Sequence, residues 1–283
     1  YGVSNRAGHP GEREVANILA QAIEAGIGYI DTAPAYGDAE ALVGRYLPSG
    51  HCLNIVTRTP AIEDATIEAR HGRLLLDSLA TSLDRMRVDN VHGFLVHQAR
   101  DLAKPGWQHL VEAMAEARAR GWASRIGASI YNSDQLALLE SRFAPEIVQL
   151  PLNVLDRRPI ASGVLVHLKA GGVEIHARSV FLQGLLLMKP SELPDFFIPI
   201  RDDIANMQRH WAERGWSAIA ACLAFALQQT EIDAVIVGVN RCTEFDEIAD
   251  VARQSSSIRD CGAAPMVDPL YLDPSRWPAF RFQ

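Results

Sequence analysis

The chain has 283 residues, 48% of them hydrophobic, which is enough for two ordinary domains or one large barrel around a sizeable core. Its formal charge of −7 excludes a nucleic-acid surface, which needs clustered Lys and Arg. No apolar run approaches the roughly 20 residues of a membrane-spanning helix, so a soluble, cytoplasmic protein is expected.

In chain order, short β-rich runs alternate with longer helical patterns. A polar opening segment leads into a helix pattern, EREVANILAQAIEAG. The strand candidate GIGYID (26–31) follows, then DAEALVGRYLP as a helix and LNIVTR (53–58) as a strand. The helix RLLLDSLATSLDRM precedes the strand NVHGFLVHQ (90–98), and WQHLVEAMAEARARG precedes SRIGAS (124–129). SDQLALLESRF leads to EIVQL (146–150), and a short IASGVLVHLKAGG leads to GVEIHAR (172–178). DDIANMQRHWAERG and SAIAACLAFALQQT then precede AVIVGV (234–239), and TEFDEIADVARQ closes the series. The helical segments repeat apolar residues near i, i+3, i+4 and i+7, the spacing of one buried face.

Such alternation implies parallel β/α units. Seven strands, with an eighth presumed missing or unrecognised at the N-terminus, predict a single (β/α)8 TIM barrel over 1–283. A doubly wound open sheet is the competitor, but the GxGxxG loop that accompanies it is absent. The four cysteines (Cys52, Cys222, Cys242, Cys261) form no CxxC pair and read as reduced thiols. The nine histidines show no ligand spacing, so no metal is expected.

In a barrel the carboxyl ends of the strands carry the chemistry. The strand candidates close with Asp31, Arg58, His97, Ser129, Gln149 and Arg178, which a barrel would bring to one rim. Polar residues also begin ordinary loops, but an Asp–Tyr–cation–His set suits a particular reaction. A phenol titrates at about 10 in isolation, too high for easy proton exchange at neutral pH. A cation held by an aspartate stabilises the phenolate, and an imidazole can orient a carbonyl oxygen. Hydride must then come from a cofactor, since no side chain supplies it.

With AGIGYIDTAPAYGDAEALVG, IVTR, FLVHQ, RIGAS, VQLPLN and VIVGVN…FDEI in order, the chain resembles the aldo-keto reductases along nearly its whole length. The resemblance implies a (β/α)8 barrel, an NADPH-preferring nicotinamide cofactor and reduction of a small-molecule carbonyl, by a monomer or weak homo-oligomer. It makes Asp31, Tyr36 and His97 members of the catalytic tetrad, with Tyr36 the general acid. The fourth member is a lysine in the family; here Arg58 stands in that place. A guanidinium keeps the charge but is planar and does not join a proton relay. Reduced or altered turnover with cofactor binding preserved is the expectation; a simple ion-pair position is the alternative.

The resemblance also implies that Ser129 and Gln149 bind the nicotinamide carboxamide, although the usual Asn after that serine is Ile130. Arg178 stands where many members stack a tyrosine on the nicotinamide; it could stack likewise or reach an anionic substrate group. Ser179, Leu182 and Gly184 belong to the pyrophosphate loop, and Gly238, Asn240, Arg241, Glu244 and Glu247 to the adenosine end. Thr243 is expected to cap the helix after Asn240. Glu244 would repel a 2′-phosphate, so NADH is a further candidate.

Other features read as structural. His92 is expected to pack, while His176 has ambiguous facing. Met207 and the stretch RHWAER read as one solvated helix face. In the tail, Trp277 or Phe280 either lines a substrate pocket or packs elsewhere. Two further readings stand beside the reductase: a cofactor-binding regulatory or sensing protein on the same scaffold, and a metal-dependent barrel hydrolase.

Overall fold

A computed structural model describes residues 8–258 and 260–278. Among these, seven strands form a sheet whose order, β1 to β7, follows the sequence: Tyr29–Asp31, Asn54–Arg58, Val91–Val96, Ala123–Ser129, Ile147–Pro151, Glu174–Arg178 and Ala234–Val235. The β1–β2, β2–β3, β3–β4 and β4–β5 pairs are parallel. The helices are α1 Glu12–Glu24, α2 Ala39–Tyr46, α3 Ala69–Met86, α4 Gln108–Ala119, α5 Ser133–Glu140, α6 Arg158–Ala161, α7 Val164–Ala170, α8 Arg201–Ala212, α9 Ala218–Leu227 and α10 Cys242–Gln254. All seven strand candidates become strands, and no eighth occurs among the described residues. The described residues fall into two compact units: 12–150 with 166–176, and 8–11 with 151–165, 177–258 and 260–278.

In the first unit, β1 is shorter than its pattern because residues 26 and 27 serve the preceding helix, while the Gly28 carbonyl accepts the Asn54 N–H of β2 at 2.9 Å. Gly26 takes φ 72°, and the Ile27 N–H returns to the Ala22 carbonyl at 2.9 Å, a left-handed helix ending. Helix α3 starts four residues before the apolar pattern does. Glu68 and His71 cap it reciprocally, with the Glu68 N–H donating to His71 Nδ1 at 2.8 Å. Where α2 meets α3, a Cβ on Gly44 would stand 2.0 Å from the Arg85 carbonyl oxygen, so only glycine permits that approach.

Val56, Leu95 and Ile147 are wholly buried at the centre of this unit, with Tyr29 packed against them. Each buried aliphatic side chain of this kind contributes about 1.5–3 kcal/mol. Toward the strand starts, Glu174 accepts from His92 and His176 at 2.9 and 2.8 Å and pairs with Arg125 at 2.8 Å. The Tyr29 ring meets both imidazoles edge-on. His92 is therefore ion-paired as well as packed. His176 is fully buried in this cluster and takes no part in the groups at the strand ends.

In the second unit, α8 buries Met207 and Trp211, and the indole donates to the Cys261 carbonyl at 2.9 Å. Met207 thus leaves the solvated face expected for this stretch, because the apolar side of α8 is its core side; Arg209, Glu213 and Arg214 remain exposed. Trp277 packs edge-on against Phe197 at 4.8 Å. Phe280 lies outside the described residues. No helix among the described residues is long and apolar enough to cross a membrane.

Candidate active site

Strand geometry gathers six of the expected residues in the first unit. Asp31 and Arg58 are the last residues of β1 and β2, Ser129 is the last of β4, and Gln149 is in register with Ser129 on β5. His97 directly follows β3. Tyr36 is carried by a turn after β1, where its N–H bonds the Ala33 carbonyl at 3.0 Å and the Ala39 N–H bonds its own carbonyl at 3.2 Å.

Arg58 is only 3% exposed, and its partner Asp31 11%. The guanidinium Nη2 donates to Asp31 Oδ2 at 2.6 Å and to Gln149 Oε1 at 2.6 Å, while Nη1 donates to the Thr32 carbonyl at 2.8 Å. Gln149 Nε2 donates in turn to Asp31 Oδ1 at 3.0 Å. The Arg58 guanidinium carbon stands 5.5 Å from the Tyr36 ring centroid. The His97 ring also meets Tyr36, edge-on, with centroids 6.5 Å apart. A phenol is thereby set beside both a fixed cation and an imidazole.

Supporting groups escape sequence reasoning because each acts from outside the motif's obvious chemistry. Buried Thr59 accepts the His97 N–H on its hydroxyl at 3.1 Å and so fixes where β3 releases the imidazole. Buried Glu40 accepts the Thr57 hydroxyl at 3.0 Å, bracing the strand beside Arg58. Ile130, after Ser129, is buried and apolar.

The remaining candidates lie in the second unit. Arg178 closes β6 and bonds the Ser179 hydroxyl at 3.2 Å. Ser179, Leu182 and Gln183 have φ of 58°, 46° and 57°, and Gly184 follows at 83°. Left-handed backbone at non-glycine residues is costly and persists where surroundings enforce it. One enforcing group is Asn153, whose amide donates to the Ser179 carbonyl at 3.1 Å while its oxygen accepts the N–H groups of Leu155 and Asp156. Within the loop the N–H groups of Leu182, Leu185 and Leu186 donate to the carbonyls of Ser179, Leu182 and Phe181, so the turn also holds itself together.

At α10 the expected cap is corrected. The helix starts at Cys242 with Arg241 at the cap position, so Thr243 is already inside the first turn. The Glu244 carboxylate instead accepts the Asn240 N–H at 2.7 Å. Gly238, Arg241 and Glu247 are exposed around it. Among the described residues no group of His, Cys, Asp and Glu could hold a metal ion.

A model of the aldo/keto reductase family matches residues 2–261. The chain belongs to the aldo/keto reductase family. An aldo-keto reductase of Mycolicibacterium paratuberculosis is 32% identical over 149 residues, covering 50% of this chain and 49% of the relative. The chain thus spans about half the length of the first such relatives. A 6-dehydroglucose reductase of Novosphingobium aromaticivorans is 25% identical over 182 residues, 55% of this chain and 56% of that protein. Escherichia coli O157:H7 L-glyceraldehyde 3-phosphate reductase is 26% identical over 266 residues, 81% and 76% of the two chains. Among solved structures, a Bacillus halodurans aldo-keto reductase in its holo form has a TM-score of 0.69 at 17% identity, covering 90% of each chain. That likeness makes the fold of this family member the (β/α)8 barrel.

Proposed function

We propose that the chain, as one barrel domain, is an NAD(P)H-dependent reductase of a small aldehyde or ketone. The observation that carries this reading is the Tyr36 ring held near the Arg58 guanidinium at 5.5 Å and the His97 ring at 6.5 Å. Tyr36 gives its phenolic proton to the carbonyl oxygen. Arg58 stabilises the phenolate that remains, and Asp31 anchors the cation. His97 orients the oxygen that receives the proton. A bound nicotinamide supplies the hydride.

The residues present fit such a cofactor. Ser129, the last residue of β4, offers a hydroxyl for the ring's amide, and Gln149, Ser179, Leu182 and Gly184 are assigned to the cofactor by resemblance. Arg178, Asn240, Arg241 and Glu247 are assigned to it by resemblance. NADPH is the family's preference, but the Glu244 carboxylate beside Asn240 disfavours an added phosphate, which brings NADH into contention. Sugar-like carbonyls are the first substrates to try, given the names of two relatives. We assign the protein to the cytoplasm as a monomer or weak homo-oligomer.

Dissociation constants for NADPH and NADH, then a carbonyl panel that includes sugar aldehydes, test the proposal. Tyr36→Phe removes turnover and leaves nucleotide affinity nearly intact; binding of neither nucleotide better than about millimolar sinks the reading. Buried Ile130 and the tightly held Arg58 favour a second reading, a cofactor-binding sensor with little turnover. Single-turnover oxidation of bound NADPH by a reactive aldehyde separates the two.

A further inference from the structure

We propose that Gln149 is a positioning residue for the charge pair, its side-chain amide closing a hydrogen-bonded ring that fixes the plane of the Arg58 guanidinium. The three members come from β1, β2 and β5, far apart in sequence. Arg58 Nη2 is the shared corner, donating to Asp31 Oδ2 and to Gln149 Oε1, both at 2.6 Å. Gln149 Nε2 completes the ring at Asp31 Oδ1, 3.0 Å away. The two hydrogens of Nη2 are thereby committed, one to an anion and one to a neutral oxygen.

Only a side-chain amide suits this position. It must accept from a cation and donate to an anion at once, and Gln149 is fully buried, where unmatched polar groups are costly. Reversing the amide would set its N–H groups against the guanidinium N–H and its oxygen against the carboxylate, so one orientation is selected. A glutamate would repel Asp31, and an apolar side chain would strip a partner from both charges. The role is tied to arginine. A lysine ammonium is a compact, freely rotating charge with no plane to fix, and could take Asp31 and the Thr32 carbonyl alone. Gln149 and Arg58 are therefore a coupled pair, and the amide carries a duty other than the cofactor contact implied by resemblance. The inference rests on the reductase reading for what the guanidinium acts upon, namely Tyr36.

The test compares wild type, Gln149→Met, Arg58→Lys and the double variant. The Tyr36 phenol titration is followed by NMR of 13C-tyrosine-labelled protein without nucleotide, alongside NADPH and NADH dissociation constants and kcat against pH. Gln149→Met is expected to raise the Tyr36 midpoint and lower kcat about tenfold with a displaced pH profile, while nucleotide Kd stays within about threefold. In the Arg58→Lys background the same substitution changes kcat less than about twofold. An unmoved Tyr36 titration with nucleotide Kd weakened about tenfold or more would make Gln149 an ordinary cofactor contact and overturn the inference. Equal effects in both backgrounds overturn it too. Should Gln149→Met fail to fold, hydrogen exchange of the Gln149 side-chain amide in wild type and Arg58→Lys decides: protection confined to wild type supports the ring, and equal exchange overturns it. Failure of wild type to bind either nucleotide defeats the reductase reading alone, since the titration and exchange measurements use nucleotide-free protein.

Discussion

Arg58 decides how the charge at this site behaves, because its guanidinium is nearly buried and held by hydrogen bonds to Asp31, Gln149 and the Thr32 carbonyl. A buried ion pair is a poor source of net stability, but removing one partner leaves the other charge stranded, at about 3–5 kcal/mol. Arg58→Met is therefore expected to destabilise the protein by about that amount, read as a lower urea midpoint with unchanged slope. Arg58→Lys keeps the charge and tests chemistry instead. A guanidinium does not lose its proton in the working range, whereas a buried ammonium shifts readily. Turnover at saturating substrate should differ between the two proteins while nucleotide Kd stays within about threefold. Equal turnover would return Arg58 to the role of a plain ion-pair position.

Among the elements, the loop after β6 owes its form to Asn153, which lies upstream of it on the segment after β5. Asn153→Ala removes a donor to Ser179 and an acceptor for two backbone N–H groups, so a cost of about 1–3 kcal/mol is expected, measured by thermal unfolding. Helix α10 makes its own prediction. Glu244→Gln removes a negative charge while keeping an acceptor for Asn240, and should lower the NADPH Kd relative to the NADH Kd; an unchanged ratio counts against a phosphate near that carboxylate. The strands and their polar closing residues are legible in the sequence because a β-rich run ending in Asp31, Arg58 or Ser129 needs only local information. The start of helix α3 is not, because a Glu68–His71 pair does the work usually done by Ser or Thr with Glu. The α10 cap is misread from sequence because Thr243 competes on paper with a carboxylate that reaches back from the next residue. Least legible is the ring of Asp31, Arg58 and Gln149, since it depends on the register of strands separated by 91 and 118 positions at its Gln149 contacts.

For the molecule as a whole, response to acid should trace to Glu174. Burial pushes its carboxyl up, but hydrogen bonds from His176 and His92, with the pull of both imidazoles, outweigh burial and hold it well below the usual carboxylate range. A carboxyl depressed in the folded state stabilises the protein fully above its unfolded value, 4.5, and loses that contribution as pH falls from there toward the folded value. Unfolding midpoints measured across pH should therefore drop more steeply below about 4.5 in wild type than in Glu174→Gln, which has no proton to take up there. At neutral pH the variant starts from a lower stability. Its side-chain amide can still meet one imidazole, but Arg125 loses its anion, so the two curves converge as the solution is acidified. Parallel curves would show that the carboxylate is protonated alike in folded and unfolded chains. In that case the charge cluster at the strand starts is a matter of packing around Tyr29, and acid unfolding has its source elsewhere.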